Sequence, residues 1–250
     1  MDIKKTLEKV KTVRSKMKRK LPEPRCSAVI VAAGSSQRMG SDKILAPLDG
    51  KPVLVRTLSA FQNSALVDEI VIVTRSESIE KIADLCKENG FDKVSKVILG
   101  GNTRTESALA GVSEVKPEAS LIAIHDGARP LLSLELIERT VYAAREFYAA
   151  VPAIKCTDTM KLVDGKGIIT GTADRESLVR IQTPQVFSAE IIKGALTHAV
   201  TKELALTDDC SAVELMGVKT HVVEGEESNI KLTTPWDMIL AEAILKEQGE

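Results

Sequence analysis

The sequence predicts an α/β fold in which a mostly parallel sheet is covered by helices on both faces. From residue 26 onward, short runs rich in β-branched residues alternate with longer segments of helical periodicity. The runs are continuously apolar, which is typical of strands buried on both faces of a parallel sheet. The chain has 250 residues, 44% of them hydrophobic, so it is long enough to bury a full core without disulfides.

Five strands and four crossover helices follow from this pattern. The strand-forming runs lie at residues 27–33, 69–74, 93–99, 121–125 and 149–154. The helical segments between them cover residues 52–62, 77–89, 104–115 and 134–145. Parallel neighbours require crossover connections of this kind. A last helix is expected from residue 235 to about residue 246, because proline is tolerated in the first helical turn.

The alternation breaks after residue 154, and we expect a β-hairpin arm at about residues 156–180. The stretches 159–162 and 168–170 flank a glycine-containing turn, which is typical of a hairpin. A hairpin inserted into a doubly wound sheet must pack against some surface, and a partner subunit is one such surface.

A basic extension, residues 1–25, precedes the single domain predicted for residues 26–250. The extension carries a net charge of +7, which leaves −8 on the other 225 residues. Its apolar residues have helical spacing up to Pro22, and its composition fits neither a secretory signal nor a transit peptide. A solvated appendage is favoured over a binding element for an anionic partner.

Composition excludes several classes of protein. No apolar run approaches the ~18–20 residues of a membrane span. The near-neutral net charge of −1 argues against general nucleic-acid binding. The four cysteines and three histidines lack the spacing of metal ligands. We therefore expect a cytoplasmic protein with reduced cysteines and with neither a nucleic-acid nor a membrane partner.

Polar segments follow the predicted strands, at the sheet edge where α/β proteins bind ligands. The first is residues 32–40, AAGSSQRMG, with Lys43 just beyond it. Such a loop lets backbone N–H groups approach phosphate oxygens, while Arg38 and Lys43 supply positive charge. The loop has neither the dinucleotide-binding nor the Walker pattern, and an ordinary turn with two surface cations is the alternative.

The second segment, residues 100–107, has the sequence GGNTRTES. Its paired glycines permit close approach of a ligand, and Arg104 and Ser107 fall on one helix face. A turn with a helix N-cap explains part of this pattern, although it does not require an arginine there.

The third segment, residues 125–130, reads HDGARP. Asp126 ends a strand beside Arg129, where it could meet a hydroxyl group, a cation or a divalent metal. An Asp–Arg ion pair that closes the loop is the alternative, and His125 is expected to be structural. Further polar clusters, at residues 156–161, 173–175, 182–185 and 229–233, add hydroxyls and cations that suit a phosphorylated polyol.

In this order, the motifs closely resemble those of the 2-C-methyl-D-erythritol 4-phosphate cytidylyltransferase family of the non-mevalonate isoprenoid pathway. The matching segments are AAGSSQRMG with Lys43, LGGNTRTESALAG, HDGARP, DTMK, TPQVF, TDDCSAVE and NIKLTTPWD. The resemblance covers about residues 27–245. It implies a Rossmann-like nucleotidyltransferase fold, a homodimer formed by an exchanged hairpin arm, and Mg²⁺-dependent transfer of CMP from CTP to methylerythritol phosphate with release of pyrophosphate.

The resemblance also implies roles for individual residues. The catalytic cations are implied to be Arg38, Lys43, Arg175 and Lys231. The CTP site is implied to contain Ala32, Ala33, Gly34, Gly101, Asn102, Arg104, Ser107, Asp126, Ala128 and Arg129. The acceptor site is implied to contain Thr159, Arg175, Thr183 and Lys231. Mg²⁺ would be held mainly by the triphosphate, with Asp126 as the one candidate protein ligand.

The sequence departs from the family pattern at a few positions. Ser36 replaces a usual Gly, Asn102 a common Asp, and Asp209 a common Glu, while Asp42 places a negative charge beside Lys43. None of these changes removes a cation that the chemistry needs. Activity is therefore expected.

The sequence leaves three other functions as alternatives. A cytidylyltransferase acting on ribitol 5-phosphate shares most of these motifs. A non-catalytic nucleotide-binding module would have no need for all four cations. A dehydrogenase is disfavoured, because the glycine pattern and the acidic residue that would bind a ribose are both missing.

Overall fold

The computed structural model describes residues 25–34 and 43–249. The expectations for residues 1–24, for Arg38 and for the neighbouring Ser36 and Asp42 lie outside the described residues. The described chain forms a mixed, mostly parallel sheet with helices on both faces, which confirms the predicted α/β class.

Each element with predicted bounds is present to within a few residues, and further short strands and helices accompany them. The strands are β1 (Cys26–Val31), β2 (Pro47–Leu48), β3 (Lys51–Pro52), β4 (Val67–Thr74), β5 (Val94–Leu99), β6 (Leu121–Asp126), β7 (Ala149–Lys155), β8 (Lys161–Val163), β9 (Ile169–Thr172), β10 (Val179–Ile181), β11 (Gln185–Ser188) and β12 (His221–Glu224). The helices are α1 (Val53–Asn63), α2 (Ile79–Glu88), α3 (Arg104–Glu114), α4 (Leu134–Phe147), α5 (Ala189–Thr201), α6 (Asp209–Leu215) and α7 (Pro235–Gln248).

Four parallel strands form one half of the main sheet, in the order β6-β1-β4-β5. β1 lies in the middle, and its last residue, Val31, pairs with Val73 on one side and Asp126 on the other. The carboxyl ends of these strands therefore meet at one edge of the sheet. The loops after β1, β5 and β6, which carry the three predicted motifs, lie at that edge.

The other half of the sheet contains three short strands that sequence patterns did not reveal. β11 lies antiparallel between β6 and β7. β10 pairs with the outer part of β7 and is separated from β11 by a cis Thr183–Pro184 bond. β12 runs parallel to β7 on its opposite edge. Strands of three or four residues do not produce a recognisable apolar run.

Helices cover both faces, because alternate residues of each buried strand point to opposite sides. Ala28 and Ile30 belong to a core formed with α1, α2 and α4, whereas Val29 belongs to a core formed with α3, α5 and α6. α3 packs so closely that a Cβ on Gly111 would lie 2.3 Å from the Val29 side chain. Glycine is needed at that contact.

Two features lie outside these cores. A third apolar cluster joins α7 to the β2–β3 hairpin, through Leu245 and Leu48 among others. The predicted arm is a separate two-stranded sheet of β8 and β9, which confirms the hairpin. No helix among the described residues has both the length and the apolar character needed to cross a membrane.

Candidate active site

A cavity of about 390 Å³ lies at the carboxyl ends of β1, β5 and β6. Its lining residues are Val31, Ala33, Gly34, Lys43, Ile44, Gly101, Asn102, Thr103, Arg104, Ser107, Asp126, Ala128 and Lys231. All of them except Val31, Ile44 and Thr103 were predicted as site residues. The cavity thus brings together the three strand-end motifs and the segment before α7, at the edge where open α/β sheets bind ligands.

The first loop reaches the cavity only after Ala32. The backbone N–H of Ala32 donates to the carbonyl oxygen of Val73 at 2.7 Å, so it continues the sheet and is not directed at a ligand. Ala33 and Gly34 follow it and line the cavity. Among the described residues, nothing lies within 4 Å of the position that a Cβ on Gly34 would take.

The second loop is held in shape by the first turn of α3. The N–H of Gly101 donates to Oγ of Ser107 at 3.2 Å, and the N–H of Asn102 donates to Oε2 of Glu106 at 2.8 Å. Thr103 caps the helix by accepting from the N–H of Glu106. A Cβ on Gly101 would lie 2.3 Å from that of Glu106, so the loop depends on glycine at this position.

Asp126 is the electrostatic centre of the cavity. Its Oδ2 lies 2.9 Å from Nζ of Lys231 and 3.6 Å from Nε of Arg129, and its Oδ1 lies 3.4 Å from Nη2 of Arg104. Burial opposes ionisation of this carboxyl, but Lys231 and Arg104 outweigh burial and hold its pKa well below the usual range. One ionised carboxylate therefore binds two of the cations that line the cavity.

Arg104 is also paired with Asp209, a residue that sequence reasoning assigned no role. Two parallel contacts join them, Nη1 to Oδ1 at 2.9 Å and Nη2 to Oδ2 at 2.8 Å. Burial lowers the pKa of Arg104, but Asp209 and Asp126 more than offset this and raise it above its ordinary value. The adjacent carboxylates Asp208 and Asp209 at the start of a helix were a usable signal, because capping requires only one of them.

His125 and Thr183 are hydrogen-bonded to each other and to backbone atoms at the end of β6. Nε2 of His125 lies 3.2 Å from the carbonyl oxygen of Arg129, so Nε2 carries the proton and Nδ1 accepts from the Thr183 hydroxyl at 3.0 Å. Oγ1 of Thr183 in turn accepts from the N–H of Asp126 at 3.2 Å. Burial lowers the pKa of His125 to about 4. These contacts confirm a structural histidine, and Thr183 lies behind Asp126, outside the cavity lining.

Arg129 ties the third motif to the segment that carries Lys231. Its side chain is mostly buried, and Nη1 donates to the carbonyl oxygen of Asn229 at 2.7 Å. The N–H of Leu232 donates to the carbonyl oxygen of Ala128 at 2.8 Å. Lys231, between these two bonds, is fixed beside Asp126. Arg129 thus acts on the position of Lys231 and is not itself a lining residue.

Two predicted acceptor residues, Thr159 and Arg175, lie in the exposed arm and do not line the cavity of their own chain. Nη1 of Arg175 donates to the carbonyl oxygen of Thr157 at 3.3 Å, and Nη2 lies 3.9 Å from Glu176. The structure of the single chain therefore leaves this part of the predicted site apart from the rest.

Carboxylates at the cavity are already engaged by cations. Asp126 and Asp209 are both ion-paired, and within residues 25–34 and 43–249 no group of three His, Cys, Asp or Glu side chains could hold a metal ion. Oδ1 of Asp126 lies 3.4 Å from Arg104, whereas Oδ2 has the closer contact, 2.9 Å to Lys231. A divalent ion that is bound mainly by phosphate oxygens, with Asp126 as one further ligand, fits this arrangement.

Comparison with protein families gives one consistent result. The family model of 2-C-methyl-D-erythritol 4-phosphate cytidylyltransferase matches residues 26–247. A curated protein of that name from Dehalococcoides mccartyi (strain CBDB1) is 43% identical over 221 residues, which are 88% of this chain and 96% of the relative. The protein of the same name from Clostridium tetani is 37% identical over 222 residues, 88% of this chain and 90% of the relative.

Solved structures agree with the sequence relatives. The 4-diphosphocytidyl-2C-methyl-D-erythritol synthase of Anaerococcus prevotii superposes with a TM-score of 0.81 at 34% identity, over 90% of this chain and 97% of that one. The 2-C-methyl-D-erythritol 4-phosphate cytidylyltransferase of Thermus thermophilus gives a TM-score of 0.73 at 29% identity, over 89% and 99%. The ribitol phosphate and non-catalytic alternatives are not favoured by these matches. With the cavity, its cations and the fold all in agreement, this chain belongs to the 2-C-methyl-D-erythritol 4-phosphate cytidylyltransferase family.

Proposed function

We propose that this chain carries out its family's reaction in the cavity at the carboxyl edge, with catalytic charge supplied by Arg38, Lys43, Arg175 and Lys231. The reaction transfers CMP from CTP to 2-C-methyl-D-erythritol 4-phosphate and yields 4-diphosphocytidyl-2-C-methyl-D-erythritol and pyrophosphate. The observation that carries the assignment is the meeting of Lys43 and Lys231 with the Ala33–Gly34 backbone in one cavity.

The chemistry requires positioned positive charge more than covalent help from the protein. A phosphate oxygen of the acceptor forms a bond to the α-phosphorus of CTP, and the bond to the bridging oxygen of the β-phosphate breaks. Negative charge develops on the α-phosphoryl group and on the departing pyrophosphate. Lys43 stabilises this charge from one side of the cavity, and Lys231, held by Asp126, aligns the acceptor phosphate from the other.

The nucleotide binds along the two glycine-containing loops. The CTP site consists of Ala32, Ala33, Gly34, Gly101, Asn102, Arg104, Ser107, Asp126, Ala128 and Arg129. The positions of Gly34, Arg104 and Ser107 in the cavity lining support this assignment. Ala32 and Arg129 contribute by position, since the N–H of Ala32 and the Nη1 of Arg129 are bonded to the chain itself.

Mg²⁺ is the proposed metal, held mainly by the triphosphate with Asp126 as its protein ligand. When bound, it neutralises phosphate charge and makes pyrophosphate a better leaving group. Asp209 has no equivalent place in such a site, because both its oxygens are bonded to Arg104.

The acceptor half of the site is completed across a homodimer. Thr159 and Arg175 would then meet Lys231 of the partner chain through an exchanged arm, while Thr183 supports the end of β6 from behind. The supporting observation is the exposure of apolar side chains on the arm, namely Met160, Leu162, Val163, Ile168 and Ile169, which are 45–62% exposed. Contiguous exposed apolar side chains of this kind mark interaction surfaces.

The proposed location is the cytoplasm. The four cysteines are unpaired thiols, which suits a reducing compartment.

Pyrophosphate release tests the proposed reaction. The chain is supplied with CTP and Mg²⁺ together with methylerythritol 4-phosphate, with ribitol 5-phosphate, or with no acceptor. Release with the first alone is expected, and a chelator should abolish it until Mg²⁺ is restored. Release with ribitol 5-phosphate instead would change the acceptor, and silence with both in a chain that still binds CTP would support a non-catalytic module.

Sedimentation tests the proposed dimer. Leu162→Glu should convert a dimer to a monomer, because a charge would enter an apolar contact. Leu215→Glu, at the end of α6, is the matched control, since both leucines are 58% exposed. A wild-type chain that sediments as a monomer at all concentrations would refute the exchanged arm.

A further inference from the structure

We propose that Asp209 is a positioning residue that fixes Arg104 for the nucleotide and leaves Asp126 available to Lys231. The proposal rests on the function proposed above, because it concerns the CTP side of the same cavity. It assigns a role to a buried carboxylate that contacts neither the cavity nor the acceptor arm.

Asp209 and Arg104 differ in their exposure and in their relation to the cavity. The Asp209 side chain is 1% exposed, whereas that of Arg104 is 26% exposed and lines the cavity. Their two parallel contacts, at 2.9 and 2.8 Å, fix the plane of the guanidinium as well as its distance. A single contact would leave the guanidinium free to rotate, so the bidentate pair determines which edge of Arg104 faces a ligand.

Asp209 is itself held by the sheet. Oε1 of Gln185, a fully buried side chain of β11, accepts from the N–H of Asp209 at 3.1 Å and from the N–H of Cys210 at 2.9 Å. Nε2 of Gln185 donates to Oδ2 of Asp208 at 3.0 Å, and Asp208 caps α6 through Ser211. The start of α6 is therefore attached to the sheet, and Asp209 transmits that fixed position to Arg104.

Successive ion pairs link four side chains of alternating charge, Asp209 to Arg104, Arg104 to Asp126 and Asp126 to Lys231. Arg104 Nη2 is shared between Asp209 at 2.8 Å and Asp126 at 3.4 Å, so Asp209 holds the shorter contact. If Asp209 lost its charge, Arg104 would retain only Asp126 as a carboxylate partner among these side chains. It would then turn toward Asp126 and compete with Lys231, whose contact to Asp126 is 2.9 Å. A buried residue would thereby influence both substrates.

Steady-state kinetics of Asp209→Asn provide the first test. We expect the KM for CTP to rise about tenfold, the loss typical of one charge-assisted contact, with a smaller fall in kcat. Asp209→Glu, which keeps the carboxylate, should restore most of the CTP affinity. Asp49→Asn is the matched control, because it makes the same change at another Asp–Arg pair, Asp49 with Arg56 at 3.3 Å, and neither residue lines the cavity. A purely structural pair would alter the melting temperature of Asp209→Asn and leave its KM for CTP at the wild-type value.

A double-mutant cycle with Arg104→Met isolates the route of the effect. If Asp209 acts through Arg104, adding Asp209→Asn to Arg104→Met should not raise the KM for CTP further. Independent effects that multiply would overturn the proposal, as would a wild-type KM in Asp209→Asn. Calorimetry measures CTP binding in parallel on every variant. A wild-type chain that binds CTP without turnover would refute the proposed function, and the effect of Asp209→Asn on the dissociation constant of CTP would still test the role of Asp209.

Discussion

The cavity wall and the arm are built in opposite ways. At the cavity, Arg104 and Asp126 form an ion pair, and Arg104 also pairs with Asp209 behind the lining; all three side chains are largely buried within a single chain. In the arm, Leu162 and Ile169 are 58% and 61% exposed, and the sheet they belong to has only two strands. The difference teaches that one chain alone fixes the residues proposed to bind the nucleotide, whereas the arm presents the residues proposed for the acceptor on an exposed surface.

Removing a cavity cation should produce the largest effect. Lys43→Ala is expected to lower kcat at least ~100-fold, because fixed positive charge stabilises the phosphoryl group in the transition state. Pyrophosphate release under saturating substrates measures it. Lys51→Ala is the control, since that exposed lysine of β3 lies outside the cavity lining. A near-normal rate for Lys43→Ala would show that Lys43 does not contribute to catalysis in the cavity.

The arm should affect the acceptor and not the nucleotide. Arg175→Ala is expected to raise the KM for methylerythritol 4-phosphate about tenfold, by loss of a charged contact to its phosphate, with CTP binding largely intact. Arg180→Ala is the matched control, since the two arginine side chains are 54% and 56% exposed. An equal loss of CTP affinity would place Arg175 in the nucleotide half and remove the contrast between the two regions.

Acid should lower the free energy of unfolding, because His125 is buried in its neutral form. Its folded pKa of about 4 lies below the ordinary 6.5, so the unfolded chain binds an additional proton between these values and stability falls as pH drops from 6.5 to 4. The contribution amounts to about 3 kcal/mol. Asp126 titrates below this window, because its pKa is lowered from an ordinary value of 3.8.

Urea unfolding at pH 7, 6, 5 and 4.5 measures this loss. His125→Asn should be less stable than the wild type at pH 7 but show a flatter decline toward pH 4.5. His198→Asn, at an exposed position of α5, should follow the wild-type curve. If the free energy of unfolding fell equally with pH in His125→Asn and in the wild type, protonation of His125 would not be the cause of the acid sensitivity.

The smallest effect is expected outside both regions. Deleting residues 1–22 should leave kcat and both KM values unchanged, since the family match begins at residue 26. The same pyrophosphate assay checks it. A large fall in turnover would mean that the basic extension contributes to one half of the site, and the acceptor and CTP constants would show which half.

Sequence patterns predicted the parallel half of the sheet well because most of its strands are buried on both faces and all of them are separated by helices. β1, β4 and β6 are buried in this way, whereas β5 is a partly exposed edge strand. The loops that follow β1, β5 and β6 contain most of the cavity residues. β10 and β12 escaped prediction because they are only three and four residues long and owe their conformation to pairing with β7. Local composition carries little information about such pairing.

The sequence by itself determined the fold class, the strand-end motifs and the resemblance to the family, because periodicity and motif order are local properties of the chain. Only the tertiary structure decided how the charges are distributed. It paired Arg104 with Asp209, which lies 105 residues away, and placed Lys231 against Asp126 across a similar separation. It also showed that Thr183 and His125 support the site from behind. Contacts of this range depend on how the strands and helices pack, and no local pattern records them.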